Sequence, residues 1–234
     1  MASEGYKPLA GPAVWAQRAL IALSLLNVIG IASDLAAHSL YQSELVTREE
    51  LDATDIRQGV IGLVQFIGLI VAIVFFVRWF RRAYRNLPAL GAEPLRFRPG
   101  WAVWGWFVPI LGWFRPKQIA NDIWRASDPD APPAEGGPSR WQEKPVPGLF
   151  QLWWAAYVIS TFLDNVAARY SLRADDVDGY DAEAVAYIVA DTAAIVAAVL
   201  AVLVIRRATA RQEARAARLA VERGHQPAGH GGGE

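Results

Sequence analysis

The sequence predicts an all-α polytopic membrane protein with four transmembrane helices arranged as two hairpins, and three observations carry that reading. First, residues 13–33, 59–80, 148–168 and 182–205 form four uncharged or nearly uncharged stretches of 21 to 24 residues. A helix needs about 20 apolar residues to cross a hydrocarbon core of roughly 30 Å. Second, 19 of the 23 Lys and Arg residues fall in segments 1–18, 78–100, 114–147 and 206–234, which four spans would place on one side. Third, loops 34–58 and 164–184 carry 4 basic residues against 12 acidic ones. Basic flanks mark the cytoplasmic side. Both termini are therefore expected in the cytoplasm, and the protein in the inner (plasma) membrane.

Taken in order, residues 1–80 read as the first hairpin. Arg18 sits near the cytoplasmic end of its first span, where the long stem can snorkel to the headgroups. The pattern Gly30-Ile31-Ala32 is a poor cleavage site, so this span is expected to be retained rather than removed as a signal peptide. The second span ends in Arg78, Arg81, Arg82 and Arg85. Residues 81–126 read as a cytoplasmic Trp/Arg-rich segment on the membrane. Within it, 101–114 is apolar, with four Trp residues and Pro109 inside. As a helix it would reach only about 21 Å, and spanning would drag six C-terminal arginines outside. It is expected to be interfacial or re-entrant instead. Pro116 suits the first turn of a short amphipathic helix, whose stripe is Ile119, Ile123 and Trp124. On that helix Asp122 and Arg125 are expected to form a surface ion pair. Residues 127–147, rich in Pro and Gly, read as a flexible linker. Residues 148–205 make the second hairpin, and 206–234 a basic helix with a disordered Gly-rich tail.

Asp34-Leu-Ala-Ala-His-Ser-Leu and Asp164-Asn-Val-Ala-Ala-Arg-Tyr-Ser-Leu look like two copies of one unit. Each precedes an acidic loop, a span and an arginine pair. Two spans per unit give both copies the same orientation, with the relating axis along the membrane normal.

Several chemistries are excluded. The chain has no cysteine, hence no disulfide or thiolate site. His38, His225 and His230 are scattered, so no metal site is expected. No phosphate loop, zinc-protease motif or nucleophile elbow is present, and no cofactor or enzymatic activity is expected. Basic charge without a recognition motif argues against nucleic acid; the arginines suit anionic lipid headgroups.

The polar residues inside the spans are the candidate site. Asp191 lies nine residues into the last span, about 13 Å along it, where an ionisable group is costly and marks function by default. Gln65 lies 16 residues before Arg81 and Asp191 lies 15 before Arg206, which puts the two at similar depth. Ser24, Asn27 and Asp34 share one face of the first span, and Tyr157, Thr161 and Asp164 one face of the third. Structural hydrogen bonding between helices is the bland alternative, worth only about 0.6 kcal/mol per contact.

The stretches Trp79-Phe-Arg-Arg-Ala-Tyr-Arg-Asn-Leu87, Pro99-Gly-Trp-Ala-Val103 and Trp106-Phe-Val-Pro-Ile110 carry a family resemblance. So do Arg115-Pro116 and Ile123-Trp-Arg-Ala-Ser127. Together they resemble the bacterial, largely actinobacterial, membrane family called domain of unknown function 4328. The chain departs from its usual pattern at Gly112-Trp113 and at Lys117. The resemblance implies paired spans around this block and no particular activity.

The leading functional expectation is a non-enzymatic scaffold or partner-binding membrane module. Its contact surface would be Arg81, Arg82, Trp101, Trp104, Trp106, Pro109, Arg115, Pro116, Trp124 and Arg125, because Trp and Arg dominate binding hot spots. The occupant would be a protein partner or a second copy of the chain. The runner-up is a small transporter or ion/proton channel using Asp191, Gln65, Asp164, Asn27, Asp34 and Tyr157. A lipid-acting enzyme using Asp34 and Asp164 as an acidic pair is a third reading.

Overall fold

The computed structural model describes residues 5–43, 45–131, 140–174 and 176–225. Glu44, Asp175, His230 and the tail, and residues 132–139 of the expected linker, lie outside them. Among the described residues every regular element is a helix: α1 (Ala10–Tyr41), α2 (Arg48–Arg85), α3 (Trp101–Trp104), α4 (Arg115–Ala126), α5 (Gly148–Ser171) and α6 (Val177–His225). Short 3-10 turns occupy Pro88–Leu90, Leu111–Trp113 and Arg140–Glu143.

Local chemistry explains the boundaries. Pro12 falls in the first turn of α1, where its missing N–H costs nothing. The helix then runs eight residues past the expected end of the span, so much of the acidic loop 34–58 is helical. Thr47 caps α2: its hydroxyl accepts from the Glu50 N–H at 3.3 Å, and the Glu50 carboxylate accepts from the Thr47 N–H at 2.9 Å. This reciprocal pair closes two otherwise orphan donors. Asp176 does similar work before α6, accepting from the Gly179 N–H at 2.8 Å.

Among the described residues three helices are long and apolar enough to cross a membrane: α1, α2 and α6. α5 has the length, but Gln151, Tyr157, Ser160, Thr161, Asp164 and Asn165 make it less apolar, and it does not join them. Residues 101–114 form no helix long enough to cross. They break into α3, a turn and a 3-10 turn around Ile110, whose φ of 66° is unusual for a β-branched residue.

The chain divides into two compact units. Val14–Phe76 and Gly148–Val204 form an apolar unit, with 5 basic and 13 acidic residues. It is inside-out by the standards of a water-soluble protein. Val60, Leu63, Phe66 and Ile67 are exposed, as are Leu25, Val28, Leu152 and Phe162. Alanines and polar groups such as Ala72, Ala190, Asn27, Asp34 and Ser160 are buried instead. Only 6% of the most apolar stretch of α2 is buried. Small residues let helices approach closely where lipid, not water, is the solvent for the outer face.

Met1–Ala13, Val77–Pro147 and Ile205–Glu234 form a basic unit, with 18 basic and 10 acidic residues. It has an ordinary core of Trp79, Phe80, Tyr84, Leu87, Ile119 and Ile123. A polar hub runs through that core. Gln212 is fully buried and donates to the Ala83 carbonyl at 3.2 Å and to the Ser127 hydroxyl at 3.0 Å, while its own oxygen accepts from Asn86. Asn86 in turn exchanges two bonds with the backbone of Lys7. Every partner of this hub is satisfied, as burial requires.

Candidate functional site

Within the apolar unit, α1, α2, the end of α5 and α6 border a half-open cavity of about 780 Å³. Helical spacing builds it. Leu23, Asn27, Gly30 and Asp34 lie on one face of α1, Gln58, Gly62, Gln65 and Leu69 on one face of α2, and Tyr180, Glu183, Tyr187 and Asp191 on one face of α6. Asp34, Asp55, Asp164, Glu183 and Asp191 all line it, and no Lys, Arg or His among the described residues does.

The inner end is a fixed constellation. The Gln65 amide donates to Asp191 Oδ2 at 2.9 Å and approaches Asn27 Oδ1 at 3.4 Å. Gly30 faces this pair. A Cβ there would stand 2.6 Å from Gln65 Nε2 and 2.7 Å from Asp191 Oδ2, so a side chain at position 30 would push the two ends away from the α1 backbone. Nearer the other end, Gln58 donates to Asp34 Oδ1 at 2.6 Å, and Arg57 donates to the Ser33 hydroxyl at 2.9 Å. Asp34 is only 7% exposed, and no described residue hydrogen-bonds its Oδ2. Asp191 and Glu183 repel the charge of Asp34 while Arg57, outside the lining, attracts it, and Asp164 repels that of Asp191. Outside the carboxylate cluster, His38 and Gln42 both bond Asp181, and the Tyr41 and Tyr180 rings lie 6.2 Å apart.

Five of the six intramembrane candidates, Asp191, Gln65, Asp164, Asn27 and Asp34, therefore meet at one cavity. Tyr157 does not line it; its ring packs on Trp154 at 5.2 Å. Gln58, Glu183 and Tyr187 were missed. Gln58 lies seven residues before Gln65, and Tyr187 and Glu183 four and eight before Asp191, so helical periodicity could have found them. Among the described residues no three His, Asp or Glu side chains are grouped to hold a metal ion.

The Trp/Arg segment of the basic unit is only partly a surface. Trp104 is 65% exposed, and Arg81 and Pro109 are exposed too. Arg115 instead stacks over the Phe97 and Trp101 rings at 4.1 and 4.9 Å, and Arg211 covers Trp124 at 4.4 Å. Trp106 packs edge-on against Phe80, Pro116 is buried, and Arg82 reaches the Pro8 carbonyl. Arg125 donates to the Lys144 carbonyl at 2.7 Å.

The expected surface pair of Asp122 with Arg125 is corrected here. Asp122 is fully buried, and Arg96 is its ion partner at 3.5 Å. Burial pushes its carboxyl up to about 6, against the pull of Arg96 and Arg125. Burial likewise lowers Lys117 to about 8, helped by Arg125. The helix face that carries Ile119 and Ile123 into the core takes Asp122 with it.

No curated protein and no solved structure matches the chain. Residues 42–210 match the family model described as Domain of unknown function (DUF4328), which takes in α2, the Trp/Arg segment, α5 and the cavity-lining part of α6 but not α1, and the chain belongs to that family.

Proposed function

We propose that this is a four-span inner-membrane protein that binds small cations or protons in the cavity around Asp191 and passes them across the bilayer. The observation that supports it is the lining: five carboxylates and no basic side chain, around space for a ligand, in a unit whose outer face is apolar. Ionisable groups inside a membrane face cavities and mark ion or proton paths, and rings of acidic residues favour cations. α5 would supply the fourth span and, by the positive-inside rule, both termini and the basic unit would be cytoplasmic. Purified protein in liposomes should pass protons or monovalent cations down a gradient, and Asp191→Asn should abolish the flux. Equal flux through the variant would sink this reading.

A second reading, the partner-binding module, draws on the exposed rim of the basic unit. Trp104, Phe107, Ile110 and Phe114 are 57 to 74% exposed, an apolar patch of the kind that marks contact with protein or lipid. A photoreactive residue at position 104 separates the two. Capture of lipid alone would favour an interfacial segment and count against a protein partner.

A further inference from the structure

We infer that the occupant of the cavity is a bulky organic cation. This rests on the cation reading above and narrows it to one substrate class. Three features of the cavity go beyond what a bare ion needs. The first is size. About 780 Å³ lies within the roughly 300–1,000 Å³ range of small-molecule pockets, whereas a proton needs a single carboxylate and a dehydrated alkali ion a compact shell of oxygens that replaces its hydration water. The second is the arrangement of charge. The carboxylates are spread along three helices and no three of them are grouped for a metal ion, which suits a cation with diffuse charge. The third is the rest of the lining. Tyr41, Tyr180 and Tyr187 line it beside the apolar side chains of Leu23 and Ile61.

These parts divide the work of recognition. Aromatic rings attract a cation by their quadrupole, more strongly when it is desolvated. Apolar side chains take up the hydrocarbon body, and carboxylates supply the sign. Asp34, 7% exposed and held at Oδ1 by Gln58, sets one of these carboxylates in the cavity wall. Asp191 is positioned by Gln65 and by the missing side chain of Gly30. An anion of the same size would meet five like charges.

The test uses the full chain in lipid nanodiscs and two probes of the same shape and opposite charge, tetraphenylphosphonium and tetraphenylborate. Tetraphenylphosphonium should bind saturably, and at least tenfold more weakly to Asp191→Asn. Tyr187→Phe should keep the affinity and Tyr187→Leu should lose it several-fold, because the ring and not the hydroxyl is required. That pair keeps the inference testable if Asp191→Asn fails to fold. Equal binding of tetraphenylborate, or indifference to Asp191→Asn in a folded variant, would overturn it. A proton or alkali-ion flux that tetraphenylphosphonium neither binds against nor blocks would remove the organic cation and leave the small-ion reading standing. Absence of both flux and binding would remove both.

Discussion

In the basic unit Trp79, Phe80, Ile119 and Ile123 are buried while Arg81, Arg85 and Arg206 lie outward; in the apolar unit Phe66, Leu63 and Val60 lie outward and Asp34 and Asn27 are buried. One chain thus contains two opposite solutions to burial, because its two parts are built for different solvents. The zero net charge conceals this division, since the acidic excess of the apolar unit matches the basic excess of the other. What the contrast teaches concerns polar groups. In the basic unit the Gln212 hub is a set of hydrogen-bonded structural parts packed into the core. In the apolar unit polar groups converge on a cavity with space left over.

The largest expected effect separates the two cores. Trp79 is 1% exposed and its indole N–H donates to Thr209 at 3.0 Å. Trp79→Ala should cost about 3–5 kcal/mol. Phe66→Ala, on a 60% exposed ring, should cost under about 1 kcal/mol in detergent. Thermal unfolding of both variants checks this, and comparable losses would erase the distinction between the units.

Asp122 gives a smaller, pH-dependent effect. Its carboxyl lies near 6 in the folded chain against an ordinary 3.8, so the folded state holds a proton that the unfolded state has released. Stability contributed by this group is therefore full below about pH 4 and is lost as pH rises through 6. The loss is on the order of 3 kcal/mol, at 1.36 kcal/mol per pKa unit. Asp122→Asn should flatten the decline of Tm between pH 4 and 6. An unchanged slope would mean that Arg96 already neutralises the charge.

Least disruptive is a topology test with single cysteines, which the cysteine-free chain permits. Ser43→Cys and Asp130→Cys both alter exposed positions. In intact cells an impermeant thiol reagent should label the first and not the second. Ser127 is unsuitable as a reporter, because it is buried against Gln212. Labelling at 130 from outside would reverse the orientation proposed for the basic unit.

Much of this was legible in the sequence, for identifiable reasons. The long helices follow from apolar length and charge segregation. The meeting of Gln65 and Asp191 follows from their matched distances to Arg81 and Arg206, since helix rise converts residue counts into depth. Pro116 marks the start of α4. The Thr47–Glu50 cap was equally legible but hidden by reading 34–58 as loop. Asp122 was not legible: its partner Arg96 lies 26 residues away, and charge alone suggests a solvated face. Nor was the volume of the cavity, because periodicity shows which residues share a face and not whether their side chains fill the space between helices.

The central claim is that the apolar unit holds a water-accessible, anionic cavity, and Gly62 offers the most direct test. It lines the cavity, and a Cβ there meets nothing within 4 Å, so Gly62→Cys should fold with its thiol facing that space. Modification rates by a cationic and an anionic methanethiosulfonate, each divided by its rate with a free thiol, should differ at least tenfold in favour of the cation. A thiol that neither reagent reaches, or that both modify at equal relative rates, would contradict the account.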